Sequence, residues 1–318
     1  MPARSDPPVP HLSAEELLRT LPVTDAVDAL EHAFGGGRVP ASPVRSHFDA
    51  HGGELLLMPA WGELGVGVKL VTLEAANPAI GLPLIHGLFV LFAADTKAPL
   101  AILDGAALTS LRTAAVSALG VRKLARPDAA ALLIFGAGVQ AHAHLDAMLA
   151  VRELSSVVVV SPTAERAEAL AARARERGVD ARVGTPGDVP TADLICCCTT
   201  SREPVVRGEL VAPGTHIAAI GAYRPDMREL DAETLRRSTV VVETREAALA
   251  EAGDLILAIE AGLWSADLIA GELADVVDGA VGRRDADEIT VLKSVGMAAE
   301  DLVVAHAAVQ KLSAGAGA

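Results

Sequence analysis

The stretch from Ala131 to Val160 constrains this chain more than any other. Ala131–Phe135 is an unbroken apolar run of strand length. Gly136-Ala137-Gly138-Val139-Gln140-Ala141 follows it directly, and a helical segment runs from Val139 to Val151. A second strand-like run, Ser156–Val160, comes next. Strand, glycine turn, helix and strand in that order are what a dinucleotide-binding βαβ unit requires. Gly136 allows the tight turn, Gly138 lets the backbone approach a pyrophosphate, and Ala141 replaces the third glycine, as the pattern permits. The N–H groups at the helix start then hold the phosphates. A Rossmann domain and a nicotinamide nucleotide are expected, with Gly136, Ala137, Gly138, Val139 and Gln140 in contact with it.

Strand–helix alternation continues downstream. Ala164–Arg177 reads as a helix, and Asp193–Cys198, His216–Ile220 and Thr239–Val242 as strands, which argues for a parallel sheet covered on both faces. The chain upstream is different. Ser13-Ala14-Glu15-Glu16 is a capping box opening a short helix, and a second helix follows Pro22 and runs to about Phe34. Glu54–Met58, Gly65–Leu73, His86–Phe92 and Leu100–Leu103 read as strands joined by turns. Ala106 to about Ala125 reads as a long alanine-rich helix, and Gly296–Leu312 as a terminal one, ahead of a frayed Ser-Ala-Gly tail. With 318 residues, 51% of them hydrophobic, there is enough apolar side chain for two cores.

The net charge is −14, from 27 basic and 41 acidic residues, and no Lys/Arg run forms a basic face, so no nucleic-acid partner is expected. No apolar window is long enough for a membrane span, and Met1–Pro10 lacks the basic-then-apolar order of a secretory signal. A cytoplasmic protein without a membrane partner is expected. Cys196, Cys197 and Cys198 are consecutive, which suits buried strand residues rather than a disulfide framework or a zinc site. His142 and His144 stand two apart on a helix and share no face, so no metal is expected.

The end of the second strand bears on the choice of nucleotide. An acid bonded to the ribose is usual there in NAD-binding domains. This chain has Ser161 instead, followed by Thr163 and Arg166, all suited to a 2′-phosphate. NADP(H) is therefore the preferred cofactor, with NAD(H) as the alternative.

Further motifs now carry a resemblance. Pro99-Leu100-Ala101-Ile102-Leu103-Asp104-Gly105, Leu108-Thr109-Ser110-Leu111-Arg112-Thr113-Ala114-Ala115-Val116-Ser117-Ala118, the glycine turn, Gly221-Ala222-Tyr223-Arg224-Pro225-Asp226-Met227-Arg228-Glu229-Leu230-Asp231, and Lys293-Ser294-Val295-Gly296-Met297 occur in order over nearly the whole chain. Together they resemble the ornithine cyclodeaminase/mu-crystallin family. The resemblance implies an α/β protein: a Rossmann-type parallel sheet domain (residues 116–293) inserted in an α+β substrate-binding and dimerisation domain (1–115 plus 294–318). It also implies a homodimer built through the N-terminal sheets and a small imino- or amino-acid substrate. Arg45, Lys69 and Arg112 match its substrate contacts, with Val295 and Gly296. Arg112 and Thr113 match contacts to the cofactor phosphate. Cys198, Thr199, Thr200, Ile220, Tyr223 and Ser294 are expected along the cofactor.

Three cations in apolar settings suit a substrate carboxylate, because guanidinium groups grip it through a bidentate fork. Lys69 and Arg112 are the expected catalytic residues, Lys69 as the proton donor to an imine nitrogen. His86 lies beside the expected pocket and is a further expected substrate contact. Cyclodeaminases of the family carry an aspartate where this chain has Tyr223, and a phenol is no carboxylate base near pH 7. Asp226 is out of register to replace it. The expected activity is therefore NAD(P)H-dependent reduction of a cyclic α-imino acid, as in the mu-crystallin and imine-reductase branch. Cyclodeamination of ornithine or lysine, alanine dehydrogenation, and non-catalytic NADPH binding remain the alternatives.

Overall fold

The computed structural model describes residues 8–316. The described residues fall into two compact units, the first drawn from residues 8–29, 39–112 and 297–316, the second from Leu30–Arg38 and Thr113–Gly296. The units thus part at Arg112/Thr113 and Gly296/Met297, three residues from each expected boundary. Leu30–Arg38 joins the second unit, which the motifs do not foresee: Glu31 pairs there with Arg122 and Lys123, and the Gly36 N–H donates to Asp278. Of the segment Met1–Pro10 weighed for a secretory signal, residues 1–7 lie outside the described residues. The terminal helix continues through the expected frayed tail to Ala316.

The first unit holds a six-stranded sheet: β1 (His11–Leu12), β2 (Ser46–Ala50), β3 (Gly53–Gly62), β4 (Gly65–Leu73), β5 (Ile85–Phe92) and β6 (Pro99–Asp104), in the order β1-β6-β5-β4-β3-β2. All neighbours are antiparallel except β1 and β6. Alternation sorts the side chains onto two faces. Leu56, Met58, Ala60, Lys69, Val71, Phe89, Leu91, Ala101 and Leu103 are buried on the inner face, under the terminal helix Ala298–Ala316, which packs on β3, β4 and β5. Each large apolar side chain sealed there contributes about 1.5–3 kcal/mol. Gly67 is required on this face, because a Cβ there would stand 2.2 Å from the Phe89 ring. The outer face is also apolar yet open: Leu70, Leu88, Phe48 and Trp61 are exposed, and Val66, Val68 and Val90 are half-buried.

The second unit holds eight strands, all parallel: β7 (Ala131–Phe135), β8 (Ser156–Val160), β9 (Asp180–Val183), β10 (Leu194–Cys197), β11 (His216–Ala219), β12 (Ser238–Val242), β13 (Ile269–Glu272) and β14 (Ile289–Lys293). Their order is β13-β12-β14-β11-β10-β7-β8-β9. The α/β class with a parallel Rossmann-type sheet beside an antiparallel one is as expected. Three strands, β9, β13 and β14, are additions. The late strand β14 lies in the interior of the sheet, between β11 and β12, and carries Lys293 at its end. The strand order reverses between β7 and β10, the place where open parallel sheets bind ligands at the carboxyl ends of their strands.

Candidate functional site

In the first unit the candidate site is a buried charge cluster. β4 projects Lys69 onto the inner face, where Met58 and Phe89 are its cross-strand neighbours. Asp104 caps the next helix, Gly105–Leu124, by accepting from the Ala107 N–H. That helix presents Thr109 and Arg112 one turn apart. The terminal helix contributes Glu300 and Asp301 from its first turn. Lys69 Nζ donates to Asp301 Oδ1 at 2.9 Å and to Thr109 Oγ1 at 3.1 Å. Arg112 Nε donates to the same Asp301 oxygen at 3.2 Å, and its Nη1 to Glu300 Oε2 at 2.7 Å. Lys69, Arg112, Glu300 and Asp301 are all buried. Burial is the main force on the Lys69 ammonium. With Arg112 and Arg45 nearby, and against the pull of Asp301, it brings the pKa down to about 8.

The structure thus gathers Arg45, Lys69 and Arg112 as one electrostatic group. It does not add His86. His86 pairs with Thr72 across β4 and β5, three residues before Phe89, and so stands exposed on the outer face, away from Lys69. The expectation that it lies beside the Lys69 pocket is corrected: strand parity decides the face. Sequence reasoning also missed Thr109, Glu300 and Asp301. The two acids occupy the first turn, where acids ordinarily complement a helix dipole. Their position within Met297-Ala298-Ala299-Glu300-Asp301-Leu302-Val303, an otherwise apolar run, was the available signal.

In the second unit the glycine turn leaves β7 with Gly136 at φ 103°. Its N–H donates to Val160 O at 2.8 Å, and a Cβ would stand 2.5 Å from Cys198 O. Only glycine fits there. Gly138 is different. It caps the helix Val139–Val151 without any side-chain bond, and a Cβ there meets nothing within 4 Å. Packing within the chain therefore gives no reason for a glycine at 138. The buried Gln140 Oε1 accepts no bond among the described residues either. Open space, uncapped helix-start amides and spare polar capacity at a sheet switch point fit a dinucleotide. Ser161 Oγ accepts from the Thr163 N–H at 3.3 Å, and Arg166 is exposed without an ion pair among the described residues.

The loops after β10 and β11 are fastened to each other. Glu229, fully buried, accepts from the Thr199 N–H at 2.7 Å and the Thr199 hydroxyl at 2.8 Å through one oxygen, and from the Gly221 N–H at 2.7 Å through the other. Asp254 accepts from the Glu229 N–H at 2.6 Å and pairs with Lys293 at 2.9 Å; Lys293 also donates to Ala222 O at 2.7 Å. Burial pushes the Glu229 carboxyl up, and Lys293 pulls it back. Thr199, Ile220 and Tyr223 lie on the loops this network holds. A second buried acid, Glu243, fixes Ser294, Val295 and Gly296 by accepting from the Ser294 hydroxyl and from the Val295 and Gly296 N–H groups at 2.9 and 2.8 Å. Asp226 is occupied at the surface by Arg202 and Arg224.

Burial raises all three cysteine thiols, Cys196 to about 12, so they stay protonated and inert. His144 is buried between Ser117 Oγ at 2.9 Å and Gln140 O at 2.7 Å, and burial lowers its pKa to about 4. No helix among the described residues is long and apolar enough to cross a membrane.

The model of the ornithine cyclodeaminase/mu-crystallin family matches residues 11–316. The chain belongs to that family. The ketimine reductase mu-crystallin of Mus musculus is 39% identical over 311 residues, covering 96% of this chain and 95% of the relative. A solved structure of Thermococcus litoralis Δ1-pyrroline-2-carboxylate reductase with NADH and L-proline superposes with a TM-score of 0.91 at 34% identity, over 96% of this chain and 98% of that one. An archaeal alanine dehydrogenase dimer with bound NAD gives 0.92 at 30% identity, over 97% of each chain.

Proposed function

We propose that this protein is an NAD(P)H-dependent reductase of a small cyclic α-imino acid of the pyrroline-2-carboxylate or piperideine-2-carboxylate type. The observation that carries the reading is Lys69, a buried ammonium with its pKa lowered to about 8 among Arg45, Arg112 and two carboxylates. An acid of that strength gives up a proton near neutral pH, where an ordinary lysine does not. The similarity to reductases of such substrates supports the same conclusion.

Gly136–Gln140 would hold a nicotinamide nucleotide, which when bound would supply the hydride. Arg45 and Arg112 hold the substrate carboxylate, and Lys69 protonates the imine nitrogen. Thr199, Thr200, Ile220, Tyr223 and Ser294 would line the nucleotide, on loops that Glu229 and Glu243 fasten. Ser161, Thr163 and Arg166 favour NADPH over NADH through the 2′-phosphate.

The assay follows NADPH and NADH absorbance with pyrroline-2-carboxylate, with piperideine-2-carboxylate, and with pyruvate plus ammonia. Turnover of a cyclic imine is expected, faster with NADPH, and Arg166→Ala should raise the KM for NADPH about tenfold while leaving NADH nearly unchanged. Ammonia release from ornithine without nucleotide consumption, or nucleotide binding without turnover, sinks the proposal.

The open apolar face of the first unit's sheet is the surface through which two copies pair. A contiguous apolar patch of that kind marks an association site. Sedimentation equilibrium should give the mass of two chains for the wild type and of one for Leu70→Glu/Leu88→Glu. A wild-type monomer refutes the pairing.

A further inference from the structure

We propose that Asp301 is the positioning residue for proton transfer, the group that keeps Lys69 both protonated and aimed. The proposal rests on the reading of Lys69 as proton donor and extends it to a residue that never touches the substrate.

The geometry is that of a shared anchor. Asp301 lies within 2.9 Å of Lys69 Nζ through one oxygen and 2.8 Å through the other, and its Oδ1 also accepts from Arg112 Nε at 3.2 Å. It thereby holds the two cations at a set spacing. Thr109 completes the aim. Its hydroxyl donates to Gly105 O at 2.7 Å, which leaves its oxygen lone pairs turned to Lys69. The groups facing Lys69 are then Asp301 from the terminal helix, Thr109 and Arg112 from the long helix, Arg45 from the segment before β2, and the apolar Met58 and Phe89 from the flanking strands. Asp301 is the anion in that shell that contacts the ammonium; Glu300 reaches it only through Arg112. Burial and two guanidinium groups favour neutral Lys69, and Asp301 opposes all of them.

The step balances. The imine carbon takes a hydride from the reduced nicotinamide, which is oxidised, and the C=N π pair takes a proton from Lys69 Nζ. Lys69 is left as a neutral amine and regains its proton from water. Asp301 lies outside the path of the proton and exchanges none in this step.

The test is the pH profile of imine reduction in Asp301→Asn, a near-isosteric change that removes the charge and turns one accepting oxygen into a donor. In the wild type, kcat/KM should fall as pH rises through about 8. In the variant the fall should move to lower pH by roughly 1 to 3 pH units, with the rate recovered near pH 5.5. Glu300→Gln, which alters a partner of Arg112 and of the Met297 N–H and does not touch Lys69 directly, should change KM and leave the fall in place. If Asp301→Asn does not fold, Asp301→Ser is read in the same way. A fall that stays put in a folded variant, or a rate that acid does not restore, overturns the role of Asp301. A wild-type profile with no alkaline fall instead overturns Lys69 as donor, so the two failures are distinguishable.

Discussion

Lys69→Met is expected to lower kcat for imine reduction by about 10²–10⁴, the range for losing a general acid. Methionine keeps most of the lysine stem's volume against Met58 and Phe89 but brings no proton. Asp301 retains Arg112 Nε at 3.2 Å, so no buried carboxylate is abandoned and the fold should hold. The nucleotide contacts at the glycine turn are untouched, and nucleotide affinity measured by fluorescence should be unchanged. The direction of the reaction supplies an internal check. Reduction needs protonated Lys69 and so declines above about pH 8, whereas oxidation of the product needs the neutral amine and rises through the same pH. A variant with full turnover, or a wild type whose two directions share one pH dependence, rules out Lys69 as the proton carrier.

Gly221→Ala is expected to destabilise the second unit by about 3 kcal/mol or more. Its Cβ would stand 2.0 Å from Thr199 O, 2.6 Å from Thr199 N and 2.5 Å from Glu229 Oε1. None of these is a flexible side-chain end. Two are backbone, and the carboxylate is pinned by Thr199 on one side and Gly221 on the other, behind a backbone held by Asp254. The added carbon must therefore separate the loops after β10 and β11 and break bonds to a buried acid. Thermal unfolding should come roughly 6–12 °C earlier, given about 2–4 °C per kcal/mol for a unit of this size, with weakened nucleotide binding. Gly138→Ala is the contrast. Its Cβ meets nothing, so stability should hold while nucleotide affinity falls. Equal Tm values for the wild type and Gly221→Ala contradict the account of the Glu229 network.

Much of this was legible from neighbouring residues. The turn at Gly136, the strands on either side and the helix between them follow from local rules: φ that only glycine adopts, apolar runs of strand length, and exposed N–H groups at a helix start. Lys69 and Arg112 stood out as cations in apolar runs. His86 was misjudged because the face it takes depends on the register of β5 against β4, which pairs it with Thr72 and Phe89 with Lys69. β14, Ile289–Lys293, was passed over because Thr290 and Lys293 leave only a short apolar stretch, and its partners β11 and β12 lie well before it in the chain.

By itself, then, the sequence determined the second unit's βαβ core and the identity of the buried cations, since local conformation and the cost of burying a lone charge are written in adjacent residues. The tertiary structure alone decided how those charges are met. Asp301 lies 232 residues from Lys69 and 189 from Arg112, and Glu229 joins two loops and reaches Asp254 25 residues further on. No periodicity links such positions. They meet only because compact folding brings buried charges within hydrogen-bond reach, where an unpaired one costs more than the ordering of both partners.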